Sequence, residues 1–147
     1  MASPIFTTGR AIVTAGNLMY AVGAFIADFN KTHVYNPTWP PHARFHNGQT
    51  MSLGVLLASM SLYFAYRPAL DKKLSSTAAR ESMLWSTIIG SFYSLAGLSA
   101  IFYPGTDWYD PPLTKDPGQR WLFSGIVVAM GAGYALESAR LGKAKTR

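Results

Sequence analysis

The chain is predicted to be all-α, an integral membrane four-helix bundle forming a single transmembrane domain over residues 1–147. Three observations predict this. Only 14% of the residues are charged while 49% are hydrophobic, against the roughly 25% charged that is usual in soluble domains. The segment Ser82 to Tyr103, "SMLWSTIIGSFYSLAGLSAIFY", carries no charge, and runs of about 18 or more such residues mark membrane spans. The basic residues divide unequally between alternate loops, as membrane orientation requires.

The spans are expected near 6–27, 44–66, 82–103 and 120–140. The apolar core of the first, "AIVTAGNLMYAVGAFIA", lies between Arg10 and Asp28. Arg10 ahead of an apolar run resembles a signal peptide, but no small-x-small cleavage site follows, so an uncleaved first helix is expected. In the second, Thr50 to Tyr66 gives 17 residues before Arg67-Pro68, about 25 Å of helix. A hydrocarbon core of about 30 Å needs about 20 residues. Spanning it draws His46, Asn47 and Gln49 into the helix and disfavours Asn47-Gly48 as a turn. The fourth, "WLFSGIVVAMGAGYAL", lies between Arg120 and Glu137 and borrows from its flanks. Gly9, Gly16 and Gly23 recur every seven residues in the first span, with Gly90, Ser94 and Gly97 in the third and Gly125, Gly131 and Gly133 in the fourth. Small residues let helices approach closely in lipid.

The net charge is +6. Nine of the 13 basic residues fall at one end of the bundle: Arg10, Arg67, Lys72, Lys73, Arg80, Arg140, Lys143, Lys145 and Arg147. Lys31, Arg44, Lys115 and Arg120 fall at the other. Both termini are therefore expected in the cytoplasm, in a protein of the endoplasmic reticulum. Two far-side loops, 28–43 and 104–119, both rich in proline and aromatic residues, are expected to cap the bundle. Rigid prolines lower the entropy lost on ordering, while Trp39, Trp108 and Tyr109 also suit an interfacial aromatic belt. Asn30-Lys31-Thr32 matches a glycosylation sequon close to the membrane.

Several function classes are disfavoured. The absence of cysteine removes disulfides, thiol redox chemistry and cysteine-ligated metals. No dinucleotide, phosphate-loop or nucleophile-elbow motif occurs. The basic residues are not interleaved with aromatics on a soluble face, so no nucleic-acid partner is expected. Four short helices leave little room for an ion pathway.

The chemistry concentrates in "NPTWPPHARFHNGQT", residues 36–50. Pro40-Pro41 suits a helix start. From there His42, His46, Gln49 and Leu53 share one face, while Arg44, Asn47 and Met51 share another. In the first span Asn17, Tyr20, Ala24 and Asp28 form a polar seam running toward the same end. All three histidines lie between positions 33 and 46, and four of the five aspartates (Asp28, Asp107, Asp110 and Asp116) fall on this side. Intramembrane polar groups are costly and commonly functional; a structural cap network is the competing explanation.

Such a set suits proton transfer on a lipophilic molecule entering from the bilayer. His46 and His42 are the acid and base candidates, with Asp28 to orient the imidazole. Arg44, Asn47, Gln49, Tyr20, Asn17, His33 and Asp107 are candidates to bind the substrate's polar end. His42 and His46 have the spacing of a helical ligand pair, but no H-E-x-x-H occurs and Arg44 between them disfavours a cation. No metal and no cofactor are expected.

Over residues 28–54, "DFNKTHVYNPTWPPHARFHNGQTMSLG" resembles a group of small fungal integral membrane proteins of four spans. Their Asp-x-Asn-x-x-His, Trp-Pro-Pro-His and Phe-His-Asn-Gly-Gln segments are matched here. The resemblance implies a four-helix membrane protein and no particular activity. The emopamil-binding sterol isomerases are an analogous, larger bundle with acid–base residues inside. The function expected is an acid–base isomerase, cyclase or epoxide-opening enzyme embedded in the bilayer. It would act on a lipophilic small molecule such as a terpenoid or polyketide, in a chain able to form homo-oligomers. The alternative is a non-catalytic four-helix membrane subunit or scaffold.

Overall fold

The computed structural model describes residues 4–109 and 118–143. Asp110, Lys115, Asp116, Lys145 and Arg147, used in the charge pattern above, lie outside the described residues. Four helices run in order: α1 (Thr8–Asp28), α2 (Pro41–Leu70), α3 (Ser76–Ser99) and α4 (Gln119–Lys143), with a 3-10 turn, Ala100–Phe102, continuing α3. All four are long and apolar enough to cross a membrane.

The helix starts follow from local chemistry. The Thr7 side chain accepts from the Arg10 N–H, and Ser75 accepts from Ala78 N–H, each satisfying one of the donors a helix N-terminus leaves open. Pro41 opens α2 with no side-chain cap, as the missing proline N–H permits. The α2 helix is longer than expected at both ends. It begins at Pro41 and runs through Arg67-Pro68 to Leu70, so Asn47 and Gly48 are helical.

Consecutive helices are antiparallel. Each packs on its chain neighbours, and α1 also closes on α4. Asp28 at the end of α1 meets Asn47 near the start of α2. Arg10 at the start of α1 meets Glu137 near the end of α4. The start of α1 and the end of α4 therefore lie at the same end of the bundle.

The interior mixes apolar side chains such as Val13, Met83 and Met130 with buried polar ones, and the exterior is large and apolar. Asn17, Ser61, Ser86 and Ser94 are completely buried. Leu18, Val22, Ile26, Leu56, Met60 and Val128 stand half-exposed or more. A water-soluble bundle has the opposite arrangement. In hydrocarbon there is no gain in sequestering leucine from lipid, so close packing and interhelical hydrogen bonds hold the helices together. The buried polar groups form a spine. Asn17 Nδ2 donates to the Val13 carbonyl at 2.8 Å and to Ser61 Oγ at 2.9 Å. Tyr20 OH donates to Asn17 Oδ1 at 2.7 Å, and Ser61 Oγ donates to the Ser86 carbonyl at 2.8 Å. Three helices are joined by these bonds.

The glycine pattern is only partly a packing pattern. A Cβ on Gly9 would lie 2.6 Å from the Gly133 carbonyl oxygen, and one on Gly133 2.7 Å from Val13 Cγ2. The α1–α4 crossing therefore depends on this pair. Gly97 lies under the Phe123 ring, with no room for a methyl group. By contrast Gly23, Gly125 and Gly131 face open space. The seven-residue recurrence drifts off the contact face because 3.6 residues per turn do not divide seven.

Candidate functional site: an aspartate at the mouth of an amphipathic cavity

The first loop is folded tightly by its own asparagines. Asn30 Oδ1 accepts from the Thr32 N–H at 2.7 Å and the Thr32 hydroxyl at 2.6 Å, and Asn30 Nδ2 donates to the Ala27 carbonyl at 2.6 Å. Asn36 repeats the motif, accepting from the Thr38 N–H at 3.0 Å and its hydroxyl at 2.7 Å. These side-chain-to-backbone turns are the ordinary use of asparagine in loops. Arg44 Nη2 donates to the Asn36 carbonyl at 2.7 Å. That contact holds the loop down, so this arm of Arg44 is engaged where substrate binding was expected.

Asp28 is the convergence point. Asn47 Nδ2 donates to Asp28 Oδ2 at 2.9 Å, and His33 Nε2 lies 3.8 Å from Asp28 Oδ1. The side-chain oxygen of Asn47, Oδ1, is buried with no hydrogen-bond partner. His33 is held from both sides. Its Nδ1 is 2.7 Å from Thr32 Oγ1, and its ring meets Trp39 edge to face, centroids 5.0 Å apart. Asp28 is 21% exposed and His33 33%, so the pair is neither sealed off nor freely solvated.

The histidine that Asp28 meets is His33, not His42 or His46. The latter two stand on the exposed face of α2, with Nε2 atoms 3.0 Å apart. Gln49 Oε1 faces His46 Nδ1 at 3.1 Å. The helical faces are those the spacing predicts. The inward one carries Arg44, Asn47 and Met51, and Met51 is 3% exposed. Orientation of Asp28 toward His42 or His46 is therefore replaced by the Asp28–His33 contact.

Asp28 also lines a cavity of about 660 Å³ at this end of the bundle, within the range of ligand pockets. Leu53, Leu57, Phe92 and Phe123 give it apolar walls, and Thr106, Asp107 and Trp108 close it from the second loop. It therefore reaches across α2, α3 and α4, beyond the α1–α2 space where the sequence places the site. Asp107 is present, but its Oδ1 accepts the Trp108 N–H at 2.6 Å. Asn17 and Tyr20, expected to bind substrate, belong instead to the buried spine. Tyr20 stacks on Tyr93 with centroids 5.1 Å apart and planes 11° from parallel, and Tyr93 lines the cavity.

Sequence reasoning missed two things. The cavity's aromatic lining, Phe92 and Phe123, lies inside apolar runs where nothing distinguishes a cavity wall from a lipid-facing ring. The other omission is a buried ionic cluster at the opposite end. Arg10 and Glu137 are each 1% exposed, with Arg10 Nη2 3.4 Å from Glu137 Oε1. Arg140 Nη2 donates to the same oxygen at 2.7 Å, Thr7 Oγ1 donates to Glu137 Oε2 at 2.7 Å, and Arg10 Nη1 donates to the Pro4 carbonyl. Both residues look like boundary charges in sequence, and only their pairing across α1 and α4 distinguishes them.

Fold and site define a four-helix membrane protein with a polar-mouthed, apolar-walled cavity at one end. The chain matches the family described as "Family of unknown function (DUF6640)" over residues 12–147 and belongs to it. No curated protein and no solved structure matches it.

Proposed function

We propose that this protein is a membrane-embedded acid–base enzyme, an isomerase, cyclase or epoxide-opening catalyst, acting on a lipophilic small molecule such as a terpenoid or polyketide. The observation that carries the reading is the Asp28 carboxylate, which lines a cavity with apolar and aromatic walls and has an imidazole nitrogen 3.8 Å away. A hydrophobic substrate would pack its carbon skeleton against Leu53, Leu57, Phe92 and Phe123. Its polar end would meet Asp28. The carboxylate takes or delivers a proton there, and His33 stabilises its charge and exchanges the proton with the aqueous side. Asn47 holds Asp28 in place. An isomerisation of this kind returns every proton it removes and needs no redox partner.

The charge asymmetry supports cytoplasmic termini and a far-side cavity. It suits residence in the endoplasmic reticulum, and the resemblance over residues 28–54 suits a fungal source. The competing reading is a non-catalytic membrane subunit. It is favoured by the self-contained hydrogen bonding of the first loop, in which Asn30, Asn36 and Arg44 bond to the loop's own groups.

Untargeted metabolite comparison of cells with and without the protein separates the two. The enzyme reading expects a lipophilic compound that accumulates without the protein and an isomer or hydrate of it that disappears. That difference should also be lost with Asp28→Asn at equal protein level. An unchanged metabolite profile on removal of the protein would leave the subunit reading standing.

A further inference from the structure

The His42–His46 pair stands apart from the cavity and has a geometry of its own. The two residues are one helical turn apart on the exposed face of α2, and their Nε2 atoms face each other at 3.0 Å. Two imidazoles bound to one metal at about 2.0–2.1 Å have nitrogens about 2.8–3.4 Å apart for coordination angles between right-angled and tetrahedral. The observed separation lies in that interval.

Gln49 completes the case. Its Oε1, an acceptor, faces His46 Nδ1 at 3.1 Å. A proton on Nδ1 donated to this oxygen leaves Nε2 with a free lone pair, the arrangement in which an outer partner orients a metal-binding imidazole. The sequence argument against a cation was Arg44, between the two histidines in the chain. Arg44 instead lies on the inward-facing side of the helix, with Nη2 on the Asn36 carbonyl.

We propose that His42 and His46 form a surface site for a divalent transition-metal ion of the imidazole-preferring class, copper(II) or zinc, with Gln49 as its orienting partner. Among the described residues no group of three or more His, Cys, Asp or Glu side chains could hold a metal, so water completes the coordination. The ion bridges the first turns of α2, which begins at Pro41 without a side-chain cap. It therefore ties down the segment that carries Asn47 and Arg44. The site is independent of the acid–base reading and can exist without it.

The test is a titration of the full chain, purified in detergent without a histidine tag, with copper(II) and separately with zinc. Binding is followed by calorimetry, and the copper spectrum reports nitrogen ligation. The expected result is about one ion per chain with imidazole coordination. His42→Gln and His46→Gln should each abolish it, and Gln49→Ala should weaken it about tenfold or more. His33→Ala should leave it unchanged. Circular dichroism checks that each variant stays helical, and all three substituted α2 residues are exposed. The proposal is overturned if the wild-type chain retains neither ion, or if the His42→Gln, His46→Gln double variant binds as the wild type does.

Discussion

Ser82 Oγ of α3 donates to the Phe64 carbonyl of α2 at 2.9 Å, and Phe64 stands four residues before Pro68. Proline has no N–H, so the Phe64 carbonyl lacks its helical donor. In a bilayer no water replaces it, and a hydroxyl from the neighbouring helix does. This single bond explains how α2 continues through a proline to Leu70.

Ser82→Ala should therefore cost about 1–3 kcal/mol, because it strands a buried acceptor. In a Pro68→Ala background the helix supplies its own donor, and the same Ser82→Ala change should cost markedly less. Unfolding in detergent for the four members of this double-mutant cycle measures the coupling. Equal costs in the two backgrounds would show that the serine serves some other purpose.

Breaking the buried ionic cluster should be among the most destabilising single changes. Glu137→Ala leaves the buried Arg10 guanidinium without its carboxylate, which in buried pairs costs about 3–5 kcal/mol. Replacing both, Arg10→Met with Glu137→Met, removes the charge as well as its partner and should cost less than Glu137→Ala alone. Thermal melts in detergent distinguish these. A double replacement as damaging as the single one would mean the cluster holds the helices by more than charge pairing.

The glycines divide into two kinds that a melt can tell apart. Gly133→Ala places a methyl 2.7 Å from Val13 Cγ2 and 2.9 Å from the Gly9 carbonyl oxygen. Such overpacking typically costs about 1–3 kcal/mol. Gly131→Ala meets nothing within 4 Å and should be neutral or gain up to about 1 kcal/mol of helix propensity. The opposite order of stabilities would contradict the α1–α4 crossing described here.

At the cavity mouth, Asp28→Asn should lower turnover by about 10²–10⁴-fold, the usual contribution of a general acid or base, with little change in melting temperature. His42→Gln and His46→Gln should leave turnover near wild type, because both rings lie outside the cavity. Substantial loss from the α2 histidines with none from Asp28→Asn would move the chemistry to the helix surface.

Orientation is checked by tags on the two chain ends in sealed microsomes. The antiparallel helices bring the start of α1 and the end of α4 to one end of the bundle, and the orientation proposed from the basic residues puts that end in the cytoplasm. Both tags should be cleaved by protease added outside cytoplasm-out vesicles. Protection of either one would contradict this topology.

Much of this was legible in the residues. One charge-free run of membrane length and three shorter ones that extend into their flanks specify four helices, because the bilayer sets the length and forbids unpaired backbone. The spacing of His42, His46 and Gln49 against Arg44, Asn47 and Met51 separates two helical faces, since helical periodicity is a property of the local chain. Which face turns inward is not local. In water, hydrophobicity would decide it, but in lipid a leucine gains little from either side and the choice falls to packing. Tertiary structure alone therefore decides that Asp28 meets Asn47 and His33 while the other two histidines face outward. It also decides that the cavity extends under Trp108 to α3 and α4, and that Arg10 and Glu137, some 127 positions apart in the chain, are a buried pair. Each of these depends on where one helix stops sliding against another, and that is determined by contacts such as Gly9 on Gly133, which no single segment contains.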